Sequence, residues 1–134
     1  MPPPPEIMDM TRGALRITDQ EFPGAYHRDL FYITVVGDAI QGVPQRRKSL
    51  FFEPTTVTGF AYSSYQAVSG DGTALGDGVV PLSHAHLKGA KQIPLPGVFH
   101  SINAPDNWYG SDAALDSWHD ELVRQLESKK LQRR

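Results

Sequence analysis

Two side chains in this sequence have the chemistry and placement to move a proton together. Asp77 stands between Gly76 and Gly78 in the run GDGVVP, and His100 follows it in PGVFHS. A neutral imidazole can take a proton from a hydroxyl, and a carboxylate can hold the ring in one tautomer and stabilise its charged form. That pairing serves hydrolysis by a serine. The flanking glycines let the backbone turn tightly, so the carboxylate can be aimed into a cleft. Each residue also has a plainer reading. Asp-Gly is common turn chemistry, so Asp77 could cap a turn, and His100 could be a loop histidine satisfied by its neighbours. Asp38, directly after an apolar run, is the competing acid. It lies further from His100 and would need a long insertion between them.

Other chemistry-bearing residues carry less. His84 and His86 could ligate a metal alongside Asp71 or Asp77. Imidazoles two residues apart point together only on a strand, however, and this piece reads as helix or loop. Gly70 to Gly76 (GDGTALG) is one residue off a dinucleotide-binding glycine pattern, no strand leads tightly into it, and its acidic surroundings would repel a pyrophosphate. The absence of cysteine excludes disulfides, thiolate metal sites and a cysteine nucleophile. No cofactor and no metal is expected.

The elements that must position Asp77 and His100 can be read in outline. Phe31 to Val36 (FYITVV) is β-branched and aromatic and stops at Gly37, which suits a strand covered on both faces, as in a parallel sheet. Gln41 to Lys48 reads as a polar, basic surface loop. Phe60, Ala61, Tyr65 and Val68 give partial helical spacing over Phe60 to Val68, and Ser69 to Gly78 is loop. Ser83 to Leu87 is expected as a short helix and Gln92 to Leu95 as a short strand, near a sheet edge because of Pro94. Gly97 to Tyr109 is loop again. The last element is a helix: Ser111 and Asp112 offer N-cap chemistry, and Leu115, Trp118, Leu122 and Leu126 form one apolar stripe. Acids come early in it and bases late, which matches the helix dipole. The chain thus leaves one strand, crosses over, returns through QIPL and delivers His100 on a loop at the sheet edge where Asp77 sits. Trp108, Tyr109 and Trp118 could line an acyl pocket, or serve the more ordinary job of anchoring the final helix.

Bulk properties fit one ordinary domain. The 134 residues are 40% hydrophobic, 21% charged and 10% aromatic. A net charge of -2 gives no reason to expect nucleic acid as a partner. No apolar run approaches the length needed for a transmembrane segment. The proline run Pro2 to Pro5 reads as part of a stiff, disordered tail over residues 1–10, with a polyproline ligand as the alternative. Residues 131–134 read as a basic tail. No targeting signal is evident, so the chain as written is expected to be cytoplasmic.

The segment GDGVVPLSHAHLKGAKQIPLPGVFHSI resembles the acid-to-histidine part of lipase-like α/β-hydrolases, especially a plastid group of plants. TRGALRITDQEFPGAYHRDLFYITVVGDAIQG upstream and DNWYGSDAALDSW downstream resemble the same group, so the likeness covers nearly everything after the proline run. It implies a partial α/β fold over residues 11–130, the C-terminal strands of a mostly parallel sheet followed by an amphipathic helix. It also implies that Asp77 is the triad acid, that His100 is the triad base, that the full-length parent acts on an ester or lipid-like substrate, and that this parent resides in the chloroplast. The departure is the nucleophile. The family places its serine on a G-x-S-x-G elbow, and Ser63, Ser64, Ser69, Ser83 and Ser101 all lack that frame. Removing a nucleophile alone lowers turnover by orders of magnitude, so the chain by itself is expected to be inactive. The alternative is a non-catalytic module that binds a partner through an exposed sheet edge, and the weaker one a metal domain on His84 and His86. An open edge of this kind also invites self-association.

Overall fold

The computed structural model describes residues 15–45, 55–101, 104 and 106–132. The expected tail over 1–10, the basic residues 46–48 and the final two arginines lie outside these. Among the described residues eight elements follow in order. They are α1 (residues 15–21), β1 (Ile33–Gly37), β2 (Ile40–Gln41), α2 (Val57–Ser69), β3 (Leu75–Gly76), α3 (Leu82–Ala85), β4 (Lys91–Leu95) and α4 (Asp112–Gln132).

The architecture is mixed α/β. β1 and β4 form a parallel pair, with Ile33 opposite Lys91 and Gly37 opposite Leu95. Their C-terminal ends therefore lie side by side, and the loops that follow leave from one edge. Parallel strands need a crossover, and here it contains β2, α2, β3 and α3. α3 packs against β1, and α4 against β4. Ile93, Leu95, Val98 and Ala114 form the buried core, with Ile33, Val35, Tyr109 and Trp118 packed against them. α1, polar along most of its length, is exposed throughout and lies apart from this core.

The expected elements are present, with corrections. β1 runs to Gly37, but its first three residues are only half-buried, and full burial begins at Val36, which is 1% exposed. Among the described residues this sheet has two strands, so β1 is not sandwiched as a central parallel strand would be. The stretches read as loop on either side of α2 contain a two-residue antiparallel ladder, Ile40 opposite Gly76 and Gln41 opposite Leu75. The short helix is shifted to Leu82–Ala85. Pro94 sits inside β4 opposite Val36, tolerable because β4 is an edge strand.

α2 begins where Thr56 accepts a hydrogen bond from the Gly59 amide and ends at Gly70, whose φ of 82° is a left-handed cap. It buries Ala61 and Tyr65, while Phe60, expected on the same face, is exposed. In α4 the covered face runs through Ala114, Leu115, Trp118 and Leu122, and Leu126 is exposed because β4 ends short of it. Ser111 precedes α4 but donates its hydroxyl to the Trp108 carbonyl. The helix continues through residue 132, into the stretch read as a tail. Trp118 does anchor it, donating its indole N–H to the Tyr109 carbonyl at 3.2 Å. No helix among the described residues is long and apolar enough to cross a membrane.

Candidate functional site

Asp77 sits at the start of a tight reversal. Gly76 bridges to Pro81, and the Asp77 amide donates to the Val80 carbonyl at 3.3 Å. Gly78, at φ 104°, adopts a backbone conformation that side-chain-bearing residues avoid. The carboxylate turns back into this reversal, and Oδ1 accepts the amides of Val79 at 2.9 Å and Val80 at 2.8 Å. In this respect the plain turn-capping reading holds. Oδ2 remains, and it does something else. It lies 2.9 Å from Nδ1 of His100 and also accepts the Tyr109 hydroxyl at 2.8 Å. The residue is 3% exposed. A buried carboxylate that accepts from two backbone amides and a phenol is satisfied as an anion.

His100 reaches this position because β4 ends beside β1. Past Leu95 the chain is pinned where the Gly97 amide donates to Oδ1 of Asp38 at 2.7 Å. Asn107 then clamps the loop, its side-chain N–H donating to the Gly97 carbonyl and its own carbonyl accepting the Phe99 amide, each at 2.8 Å. The His100 amide donates to the Asp77 carbonyl at 2.9 Å. Backbone and side chain of His100 thus both bind Asp77. Asp38, the competing acid, instead holds the loop that carries the histidine.

This geometry assigns the tautomer. An ionised carboxylate can only accept, so Nδ1 must carry the proton, and Nε2 is left with its lone pair when the ring is neutral. Among the described residues Asp77 is the ring's one hydrogen-bond partner. The imidazole is 45% exposed and opens on a cleft of about 530 Å³, which Val57, Phe60, Val79 and Phe99 make largely apolar.

Two tyrosines brace the acid. The hydroxyl of Tyr65 donates to the Ile40 carbonyl at 3.0 Å and accepts the Gly78 amide at 2.7 Å. The hydroxyl of Tyr109 accepts the Gly37 amide at 2.8 Å and donates its own hydrogen bond to Oδ2 of Asp77. Burial raises both phenols above their ordinary range, and the Asp77 charge adds to this. Both therefore remain neutral donors. Neither role was visible in the sequence. Tyr109 stood out only as an aromatic before α4, and no spacing rule connects it to Asp77.

Comparison with protein-family models, with curated proteins and with solved structures finds no match. The geometry is what speaks for the site.

The remaining candidates separate. His84 Nδ1 contacts the Ser83 hydroxyl at 3.0 Å, whereas His86 Nδ1 contacts the Thr34 hydroxyl at 3.1 Å. Among the described residues no three metal-ligating side chains converge. Asp71 closes a local turn, accepting the Thr73 hydroxyl and amide, which hold its carboxyl below the usual range. Ser63, Ser64 and Ser69 donate to the carbonyls of Gly59, Val79 and Tyr65. Ser101 lines the cleft next to His100.

Proposed function

We propose that this chain supplies the acid and base of a serine ester hydrolase, with Asp77 orienting His100 and Nε2 of His100 acting as the proton acceptor. The observation that carries this is the hydrogen bond from Nδ1 to a carboxylate that is itself fixed by two backbone amides and a tyrosine. Such a carboxylate sets the tautomer and stabilises the imidazolium that forms when Nε2 takes a proton. The cleft in front of the ring is of the size and apolar character that hold a small ligand. It favours esters with an apolar, lipid-like acyl group.

No serine of these 134 residues stands on a nucleophile elbow. The alcohol whose proton His100 takes is accordingly assigned to sequence outside them, and the chain alone should leave ordinary esters intact. Activated aryl esters bypass this need, because an exposed imidazole can attack them directly or deprotonate water. Purified chain is expected to cleave p-nitrophenyl acetate slowly, with His100→Gln lowering the reaction to the background of the other exposed imidazoles, His27, His84 and His119, and Asp77→Asn lowering it about tenfold or more. A fluorophosphonate probe is expected to label no serine. Cleavage indifferent to both substitutions would overturn the reading.

A second reading draws on the sheet. Among the described residues β1 and β4 pair only with each other, so each has a side without a strand partner. A non-catalytic module that adds a partner's strand there, or a second copy of itself, would use that edge and have no need of His100.

A further inference from the structure

The Tyr109 hydroxyl joins the Gly37 amide, at the end of β1, to Oδ2 of Asp77, the same oxygen that faces Nδ1 of His100. From this juxtaposition we infer that Tyr109 is a positioning residue of the Asp77–His100 pair, moderating through its hydroxyl how strongly the carboxylate holds the imidazolium. The inference deepens the proposed function and rests on it for its catalytic meaning.

Three features carry it. The hydrogen bonds converge on one oxygen: the Gly37 N–H donates to the phenol oxygen, the phenol donates to Oδ2, and Nδ1 donates to the same oxygen from the other side. A chain of this kind polarises its members in sequence, so the phenol becomes a better donor than it would be alone. The phenol is also fixed in space, since the indole of Trp118 donates to the Tyr109 carbonyl and the aromatic side chain packs against the core. Finally, its ring stands edge-on to the His100 imidazole, with centroids 6.1 Å apart and planes at 83°. One side chain thereby sets both the charge on the carboxylate and the tilt of the base.

The consequence has a definite sign. Two donors share Oδ2. Removing the neutral one concentrates negative charge on the oxygen that faces the imidazole, and the protonated ring is then held more tightly. The other titratable groups around the pair are Tyr65, whose hydroxyl binds the Gly78 amide beside Asp77, and Asp38, which holds the start of the histidine loop. Neither touches Oδ2.

Tyr109→Phe keeps the ring and deletes the donor. Titration of His100 by NMR in the full chain is expected to show its midpoint rising by about half a pH unit to one unit in this variant. Replacing Tyr109 with a ring-fluorinated tyrosine, a stronger donor of the same shape, should lower the midpoint and keeps the test open if the phenylalanine variant folds poorly. Tyr26→Phe, an exposed ring outside the network, should leave it unchanged. A purely space-filling role for Tyr109 predicts no movement in either Tyr109 variant, and that result would overturn the inference. Should Asp77→Asn fail to move the His100 titration as well, the Asp77–His100 reading falls with it; movement in Asp77→Asn alone overturns only the role of Tyr109.

Discussion

Asp77 and His100 are joined twice, once through Oδ2 and Nδ1 and once through the Asp77 carbonyl and the His100 amide, each at 2.9 Å. The side-chain contact orients the base, and the backbone contact ties the two loops together at the edge where β1 and β4 end. A rotation of either loop would have to break both.

Gly37 sits where β1 approaches the histidine loop, and a methyl group there would overlap the Val98 carbonyl oxygen. Its own amide binds Tyr109. Gly37→Ala is expected to destabilise the fold by about 2 kcal/mol or more, as read by denaturant unfolding. A change within a few tenths of a kcal/mol would show that the strand end is not packed against Val98.

Tyr65 is fully buried and holds the Gly78 amide. Tyr65→Phe leaves that amide and the Ile40 carbonyl without their partner, and about 1–3 kcal/mol of stability should be lost. Amide exchange at Gly78 should quicken beyond what global destabilisation explains.

Both phenols, Tyr65 buried and Tyr109 half-buried, have pKa values raised above the ordinary value of about 10. A proton held more tightly in the folded state gives stability that is complete below the unfolded value and is lost as pH climbs through the folded one. Stability should therefore be flat on approach to pH about 10 and fall above it. Tyr109→Phe should soften that alkaline decline, as a series of melts across the alkaline range would show.

Among the described residues the parallel sheet has two strands, and a sheet of that size is marginal on its own. The isolated chain is expected to melt at a low temperature or to self-associate with rising concentration. Sedimentation and melting over a hundredfold dilution test this directly; a concentration-independent monomer with a high melting point would refute it.

How much of this was legible beforehand follows from what kind of pattern each feature leaves. β1, β4 and α4 declare themselves because β-branching, glycine stops and helical spacing are local. Asp77 and His100 could be paired by their order along the chain, but the expected common sheet is not what joins them: Asp77 follows β3 of the antiparallel ladder, His100 follows β4 of the parallel pair, and the two meet through loop contacts. Tyr109 could not, since a hydroxyl that reaches a carboxylate 32 residues away leaves no periodic trace. The β2–β3 ladder is too short for alternation to register. Phe60 and Leu126 were placed on covered faces because helical spacing identifies a face but not how far the neighbouring element extends over it. Asp38 shows a further limit. Its position after β1 makes it the competing acid for His100, and only the coordinates show that it binds the Gly97 amide rather than the ring.

The tautomer of His100 goes to the centre of the matter. With ring nitrogens isotope-labelled and NMR recorded at mildly alkaline pH, where imidazole is neutral, the folded chain should show the proton on Nδ1 and a bare Nε2. Asp77→Asn, which turns an acceptor into a donor at that position, should send the proton to Nε2 and cost about 2–4 kcal/mol of stability. A ring that already carries its proton on Nε2, or that averages the two forms as free imidazole does, would contradict the pairing of Asp77 with His100.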